Sequence, residues 1–372
     1  MNPVRSVVAA LAASVLLGGS AGAAAQPGRK VIVDQDARGP ATTDMQSILL
    51  FLQAPEVEML GITLVAGDQW LKEETLRTLR AVEIARRTDV PVVPGALQPL
   101  INSKERSEAW ERQYGELSFK GAWTPRLYHP PDEVPKLEEG LPTTEPLAEH
   151  AANFIIRMVR KHPNEVTIWA GGPLTNVALA LGLDPEVATL ARELVLMGAG
   201  FNVGEGGIHR INGRREFNWW FDPEAVRITM SAPWKRIVIT PVDISVKTRL
   251  SDDIKNRIAK AKTPVAEYHT QFARSSYMWD EISALAWMDP SIITKQQELY
   301  VNIDIDHGPG YGQTIFVEKE MEGGSGRPSV PRKMPGWWQL ATVQWDLDAK
   351  AFYEMYVDLM SRPPRPGASA SR

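Results

Sequence analysis

No cysteine occurs among the 372 residues. That excludes disulfides, thiolate metal sites and cysteine nucleophiles together. Surplus positive charge is missing as well: 41 Lys and Arg face 45 Asp and Glu, for a formal net charge of -4. Without a basic stripe to neutralise phosphates, nucleic acid is not an expected partner. The P-loop and H-E-x-x-H are both absent, and the one G-x-S-x-G string, Gly18 to Gly22, falls between an apolar run and small residues rather than in a strand–turn–helix context. "GAGFNVGEGG" fails the dinucleotide fingerprint because Val203 stands at the third glycine position. The six histidines (129, 150, 162, 209, 269 and 307) are scattered. No apolar run is long enough to span a bilayer, which takes about 20 residues. Val7 to Leu17 falls short of that. With Arg5 before it and "AGAAA" before Gln26, this run reads as an export signal over residues 1–25. Its removal deletes one basic and no acidic residue, leaving -5, and the expected location is periplasmic or secreted with no membrane attachment.

What the chain has is alternation. "KVIVD", "MLGITLVAG", "VPVVPG", "VTIWAGG", "LVLMGAG" and "RIVITPVD" are Val- and Ile-rich runs bounded by Gly or Pro, as strands buried on both faces are. Helical patterns lie between them: Leu76, Leu79 and Val82 share one face, and Leu147, Ala151, Ile155, Met158 and Val159 another. This predicts βαβ units in one α/β domain over residues 26–361, with a mostly parallel central sheet flanked by helices. No internal repeat or coiled-coil heptad interrupts it. Residues 101–144 read as an inserted surface segment, either lid or decoration. Residues 321–336 read as a flexible loop and 362–372 as a disordered tail.

The chemistry collects at strand ends, where ligands bind in parallel sheets. "VIVDQDARGPATTDMQSILL" places Asp34 and Asp36 just beyond the first strand and Asp44 at the start of the next helix. Carboxylates so close resist burial unless a cation holds them, and an oxygen-only set suits calcium or magnesium. Helix capping by Thr42, Thr43 and Asp44 explains this stretch alone equally well. Other strand ends add to it: Asp68 in "VAGDQW", the glycines of "AGGPLTN", Glu216 and Asn218 in "REFNWWFDPEA", and Asp280 in "YMWDEISALAWMDP". Trp219 and Trp220 fit either a wall facing the base or plain core.

With these residues in order, the chain resembles the inosine–uridine preferring nucleoside hydrolase family over essentially the whole length after residue 25. That family opens with D-x-D-P-G-x-D-D, and Asp34, Asp36 and Asp44 match its first, second and last aspartates. "GITLVAGDQ", "VPVVPGALQPL", "GGPLTNVALAL", "LVLMGAG" and "EFNWWFDPEA" match further segments in sequence. The resemblance implies a nucleoside hydrolase-like, Rossmann-related fold and one calcium ion held by Asp36, Asp44, Asp280 and the Gly171 carbonyl. It implies Asp36 as general base toward a calcium-oriented water, with Asp280 also near the sugar. Glu216 and Asn218 would hold sugar hydroxyls, Met197 would form a pocket wall, and Asp34 would support its neighbours. The implied partner is a nucleoside or related glycoside, in a homodimer or homotetramer.

Three departures stand out. "ARGPATT" replaces a shorter turn, and Thr43 replaces an aspartate that contacts a ribose hydroxyl; Asp68, where the family has asparagine, either supplies the missing carboxylate or is an isolated change. Trp279 takes the catalytic position of a histidine credited with helping the base depart. Indole cannot deliver a proton at neutral pH, but it can stack on a base. Finally, "FNVGEGGIHRINGRR" is longer than usual: Asn212, with Asn202 as competitor, matches a sugar-binding asparagine, and His209 is either a solvated loop residue or a proton donor to the base. Two rivals to a nucleoside hydrolase follow, a non-catalytic periplasmic binding protein and a hydrolase of another glycoside.

Overall fold

A computed structural model describes residues 28–201, 214–321 and 329–365. Nine strands form one sheet: β1 (Arg29–Gln35), β2 (Val57–Leu64), β3 (Val92–Pro94), β4 (Thr167–Ala170), β5 (Glu193–Met197), β6 (Ile237–Thr240), β7 (Ile293–Ile303), β8 (Thr314–Glu318) and β11 (Gln339–Leu347). Their order is β3-β2-β1-β4-β5-β6-β11-β7-β8. The first seven run parallel, and β7 and β8 turn antiparallel at one edge. The six Val/Ile-rich runs supply β1 to β6, as their continuous apolar character requires. β7 did not announce itself, because Thr294 to Glu298 are exposed and polar and only its second half enters the core. The ends of the 321–336 segment pair as a two-stranded ribbon, β9 (Glu320–Met321) with β10 (Val330–Pro331), rather than forming a loop throughout. Among the described residues no helix is long and apolar enough to cross a membrane.

Alternation along β1 builds the two layers. Val31 and Val33 enter a core shared with the helices Thr43–Gln53, Trp279–Met288 and Ala349–Ser361, while Ile32 enters the opposite core with the helix Ala151–Lys161. Leu147 is not on that helix as its spacing suggested; it precedes the first turn and is 38% exposed. Phe51 lies fully buried between Trp169, centroids 5.1 Å apart, and Trp287, 5.6 Å apart. Phe51→Ala should cost about 3–5 kcal/mol in urea denaturation, because a closely packed ring leaves a cavity that neighbours fill only in part. A loss under about 1 kcal/mol would mean that this contact collapses freely.

A buried polar chain ties the first loop to the C-terminal helix. The Gln46 amide donates to the Ala41 carbonyl, so its oxygen faces Tyr356, whose hydroxyl donates to it and accepts from His269 Nε2. His269 Nδ1 has no partner among the described residues. Burial, reinforced by Lys255, pushes the His269 imidazolium down to about 4. The folded state therefore favours neutral His269, while the unfolded chain takes up its proton near pH 6.5. Stability from this group is complete above pH 6.5 and declines as pH falls toward 4, by about 3 kcal/mol in all. Unfolding free energies at pH 7 and pH 4.5, compared between wild type and His269→Phe, test this: the variant should lose that part of the pH dependence.

Candidate active site

Strand order 3-2-1-4-5-6 reverses direction between β1 and β4, and a crevice opens there at the carboxyl ends of the strands. It is a cavity of about 510 Å³ walled by Asp44, Asp68, Gly171, Met197, Glu216, Asn218, Trp279 and Asp280. Asp36 is 1% exposed and lies beneath the wall, as a floor. Gly67 and Gly172 permit this: a Cβ on either would fall 2.2 Å and 2.8 Å from Asp36 atoms. Asp36 accepts the Asp68 backbone N–H through Oδ2 (2.9 Å), and its own N–H donates to Gln35 Oε1 (2.9 Å). A smaller cavity of about 200 Å³, beyond Arg215 and Trp220, holds none of these carboxylates.

Burial, then repulsion from Asp68, Asp44, Glu74 and Asp280, drives the Asp36 carboxyl well above its ordinary range. Asp44 is raised by burial and by Asp68 and Asp280, against the Thr42 hydroxyl (2.9 Å) and the charge of Arg38. Asp68 rises to about 7 by burial, opposed by Arg38, and Asp280 to about 6 by burial, opposed by hydrogen bonds from Thr43 and Gln35. Among the described residues none of the four makes an ion pair. Nor do three acidic or histidine side chains there close into a cage around an ion. The donor chemistry nevertheless fits a hard cation: clustered carboxylates with no ion pair, raised by burial and mutual repulsion despite Arg38, beside a neutral carbonyl, that of Gly171.

The cavity wall at Glu216 and Asn218 is tied down by several hydrogen bonds. Glu216 caps the helix Phe217–Phe221, accepting from the backbone N–H groups of Asn218 (3.0 Å), Trp219 (3.2 Å) and Ala199 (3.2 Å), while burial raises its carboxyl to about 7. Asn218 Nδ2 donates to the carbonyls of Gly171 (2.7 Å) and Met197 (3.3 Å), joining the ends of β4 and β5. Asp34 accepts from Thr63 (2.6 Å) and Asn176 (2.8 Å) and rises to about 6 through burial, so it supports the floor.

The sequence profile of the inosine-uridine preferring nucleoside hydrolases matches residues 31–354. The chain belongs to this family. It is an N-glycosyl hydrolase of the ribonucleoside hydrolase type. A pyrimidine-specific ribonucleoside hydrolase of Escherichia coli is 27% identical over 307 residues, spanning 78% of this chain and 88% of the relative. An uncharacterised protein of Schizosaccharomyces pombe is 30% identical over 320 residues, 80% of this chain and 79% of that one. Among solved structures, a plant nucleoside hydrolase superposes with a TM-score of 0.69 at 20% identity, covering 91% of this chain and 100% of that chain. A purine-preferring ribonucleoside hydrolase from Gardnerella vaginalis gives 0.68 at 18%, covering 89% and 98%.

In this nucleoside hydrolase Trp279 lines the cavity, its ring 5.3 Å from Tyr277, where a planar base can stack. Trp219 is fully buried core, whereas Trp220 reaches the cavity wall. Asn212, Asn202 and His209 lie outside the described residues. Thr43 lines the cavity, with Oγ1 engaged 2.6 Å from Glu281 Oε2 and 3.0 Å from Asp280 Oδ2. The 101–144 segment is a roof rather than decoration. It contains a helix, Lys104–Tyr114, that its charge-rich sequence concealed. Ser118 and Phe119 enter the cavity wall, Phe119 meets Phe217 edge-on at 5.0 Å, Trp123 stacks on Phe221 at 4.3 Å, and Ala122 N–H donates to the Gly67 carbonyl. Sequence reasoning also missed Gln35 and Glu74. Gln35 was flanked by the two aspartates that drew attention, and Glu74 looked like an ordinary first-turn acid.

Proposed function

We propose that this chain is an exported, calcium-dependent hydrolase that cleaves the N-glycosidic bond of ribonucleosides to free base and ribose. The observation that carries the reading is the floor of the cavity, where Asp36, Asp44 and Asp280 are buried together beside half-buried Asp68, without an ion pair. Asp36, Asp44, Asp280 and the Gly171 carbonyl are the groups that would hold the ion. Bound there, calcium would offset the carboxylate charge and favour deprotonation of a water. Export is supported by Arg5, the apolar run Val7–Leu17 and the small residues before Gln26.

The residues then divide the work. Water adds to the anomeric carbon as the C–N bond breaks and its electron pair leaves with the base, which takes up a proton from solvent on release to become the free base. Asp36 takes the proton from water, and the Asp68 N–H donated to Oδ2 fixes that carboxylate in place. Asp68 accepts from a sugar hydroxyl, and Glu216 and Asn218 fix the sugar beside the floor. Met197 closes one side, and Trp279 stacks on the base, holding it without protonating it. The roof at Phe119 limits access of bulk water.

Reducing-sugar release by residues 26–372 from a panel of purine and pyrimidine nucleosides, with calcium and with chelator, tests the reading. Calcium-dependent release of ribose is expected. Calcium binding without release from any nucleoside would overturn it and leave a binding protein or a hydrolase of another glycoside.

A further inference from the structure

The loop between β1 and the first helix carries Arg38, which lines the active-site cavity at its carboxylate end. Its guanidinium makes no hydrogen bond among the described residues, although its charge reaches Asp44 and Asp68. The backbone that presents it is pinned on several sides. Arg38 N–H donates to the Asp36 carbonyl (2.7 Å), and the Thr42 hydroxyl donates to the Arg38 carbonyl. Ala41 N–H donates to the Tyr268 hydroxyl (2.9 Å), and Gln46 Nε2 donates to the Ala41 carbonyl (2.8 Å). Gly39 sits against Arg77, where a Cβ would come 2.8 Å from Cδ. Arg77 is itself locked between Glu73 (2.8 Å) and Glu139 (2.6 Å). Five donors on a loop held this firmly face a floor made of acceptors.

A sugar hydroxyl has one proton to give and lone pairs to be met. The carboxylates and the Gly171 carbonyl can take the proton, but none of them, ionised, can donate in return. Thr43, the neutral hydroxyl nearest that end, is committed to Glu281 and Asp280. We propose that Arg38 donates a hydrogen bond to a secondary hydroxyl of the ribose, as a substrate-binding residue of the hydrolytic site. This rests on the ribonucleoside reading above. An anionic substituent is not the group it awaits, since Asp44 and Asp68 feel the Arg38 charge and would repel an anion placed beside it. A neutral hydroxyl, donating to Asp68 and accepting from Arg38, satisfies both.

The test is a cycle of side chain against hydroxyl. Arg38→Met keeps the stem and removes the donors; Arg38→Lys restores one charged donor. At saturating calcium, kcat/KM is measured on a ribonucleoside and on its 2'-deoxy and 3'-deoxy forms. Arg38→Met should lose about tenfold to a hundredfold on the ribonucleoside, the worth of a hydrogen bond from a charged donor. Arg38→Lys should recover part of this. On one deoxy form the same substitution should change kcat/KM less than about threefold, since the partner oxygen is already gone. Equal losses on all three substrates would overturn the proposal and leave Arg38 as a counter-charge for the floor. Calorimetric titration with ribose and 2-deoxyribose runs in parallel and needs no turnover. If the wild type cleaves no nucleoside, weaker ribose binding by Arg38→Met still supports the contact, and unchanged ribose binding overturns it. Should Arg38→Met fail to fold, Arg38→Leu, which likewise has no donor, carries the same comparison.

Discussion

Asp36→Asn is expected to lower kcat on nucleosides by on the order of 10³-fold at saturating calcium, with KM changed far less. General base catalysis contributes 10²- to 10⁴-fold, and an amide cannot take a proton from water. The isostere fits where little else does. Gly67 and Gly172 press against the Asp36 side chain, and Gln35 and Asp68 hold its backbone and its Oδ2. Asparagine keeps the volume but brings a second donor toward the Asp68 N–H if its amide turns that way, so its oxygen must stay on that side. For the same reason Asp36→Glu should not rescue activity: the extra methylene has no room between the two glycines. Saturating calcium matters because losing one carboxylate also weakens the floor's hold on a cation. Steady-state kinetics on one purine and one pyrimidine nucleoside decide the point. More than about a tenth of wild-type kcat in Asp36→Asn would move the base to Asp68, the floor acid lining the cavity that is left out of the ion's ligand set.

Much of this architecture could be read before any coordinates, and the reasons are physical. A strand buried on both faces must be apolar throughout, so β1 to β6 stood out as Val- and Ile-rich runs. Ligand groups in such a sheet gather at strand ends, which drew attention to Asp36, Asp68, Gly171, Glu216 and Asn218 at once, while Met197 came only through the family resemblance. The antiparallel edge escaped because β7 is half solvated and its polar half resembles a surface helix or loop. The helix Lys104–Tyr114 escaped for a related reason, since its charged sequence buries only Ser107. Leu147 was placed on a helix by period alone, when the helix begins at Ala151 after the His150 cap. Within the site, what stayed hidden was the set of groups whose role is defined by distant partners. Thr43 reads as a lost ribose contact, yet its hydroxyl is bound to Glu281, 238 positions along the chain. Arg38 reads as part of an odd turn until Tyr268 and Arg77 are seen to hold that turn in place. Pairings of this range leave no local pattern in a single sequence.

Removing calcium is expected to abolish hydrolysis and to destabilise the fold together, because one floor serves both. A ligand that binds the native state alone stabilises it by about 4 kcal/mol when present at about a thousandfold excess over its dissociation constant. Chelation should therefore lower the unfolding midpoint of the wild type, and readdition of calcium should restore both midpoint and activity. The coupling follows from where the acids sit. Asp36 and Asp44 come from the two ends of the first β-to-helix loop, Asp68 from beyond β2, and Asp280 from the start of a helix that packs on the first one. An ion held among them joins segments that otherwise repel. Asp280→Asn removes one of these charges, its Oδ1 still accepts from Gln35 and its Nδ2 can donate to the Thr43 hydroxyl, so it should fold, bind calcium more weakly and show a smaller chelator effect. Magnesium should substitute poorly, since it demands near-ideal octahedral geometry and gives up its waters reluctantly, whereas calcium accepts a larger, irregular oxygen set. Thermal melts with and without chelator, paired with elemental analysis of the purified protein, measure this directly. An unchanged midpoint, unchanged activity and no bound metal would mean that the floor carboxylates are kept apart by protons instead of a cation, and the chemistry assigned to Asp36 would have to begin from a protonated cluster.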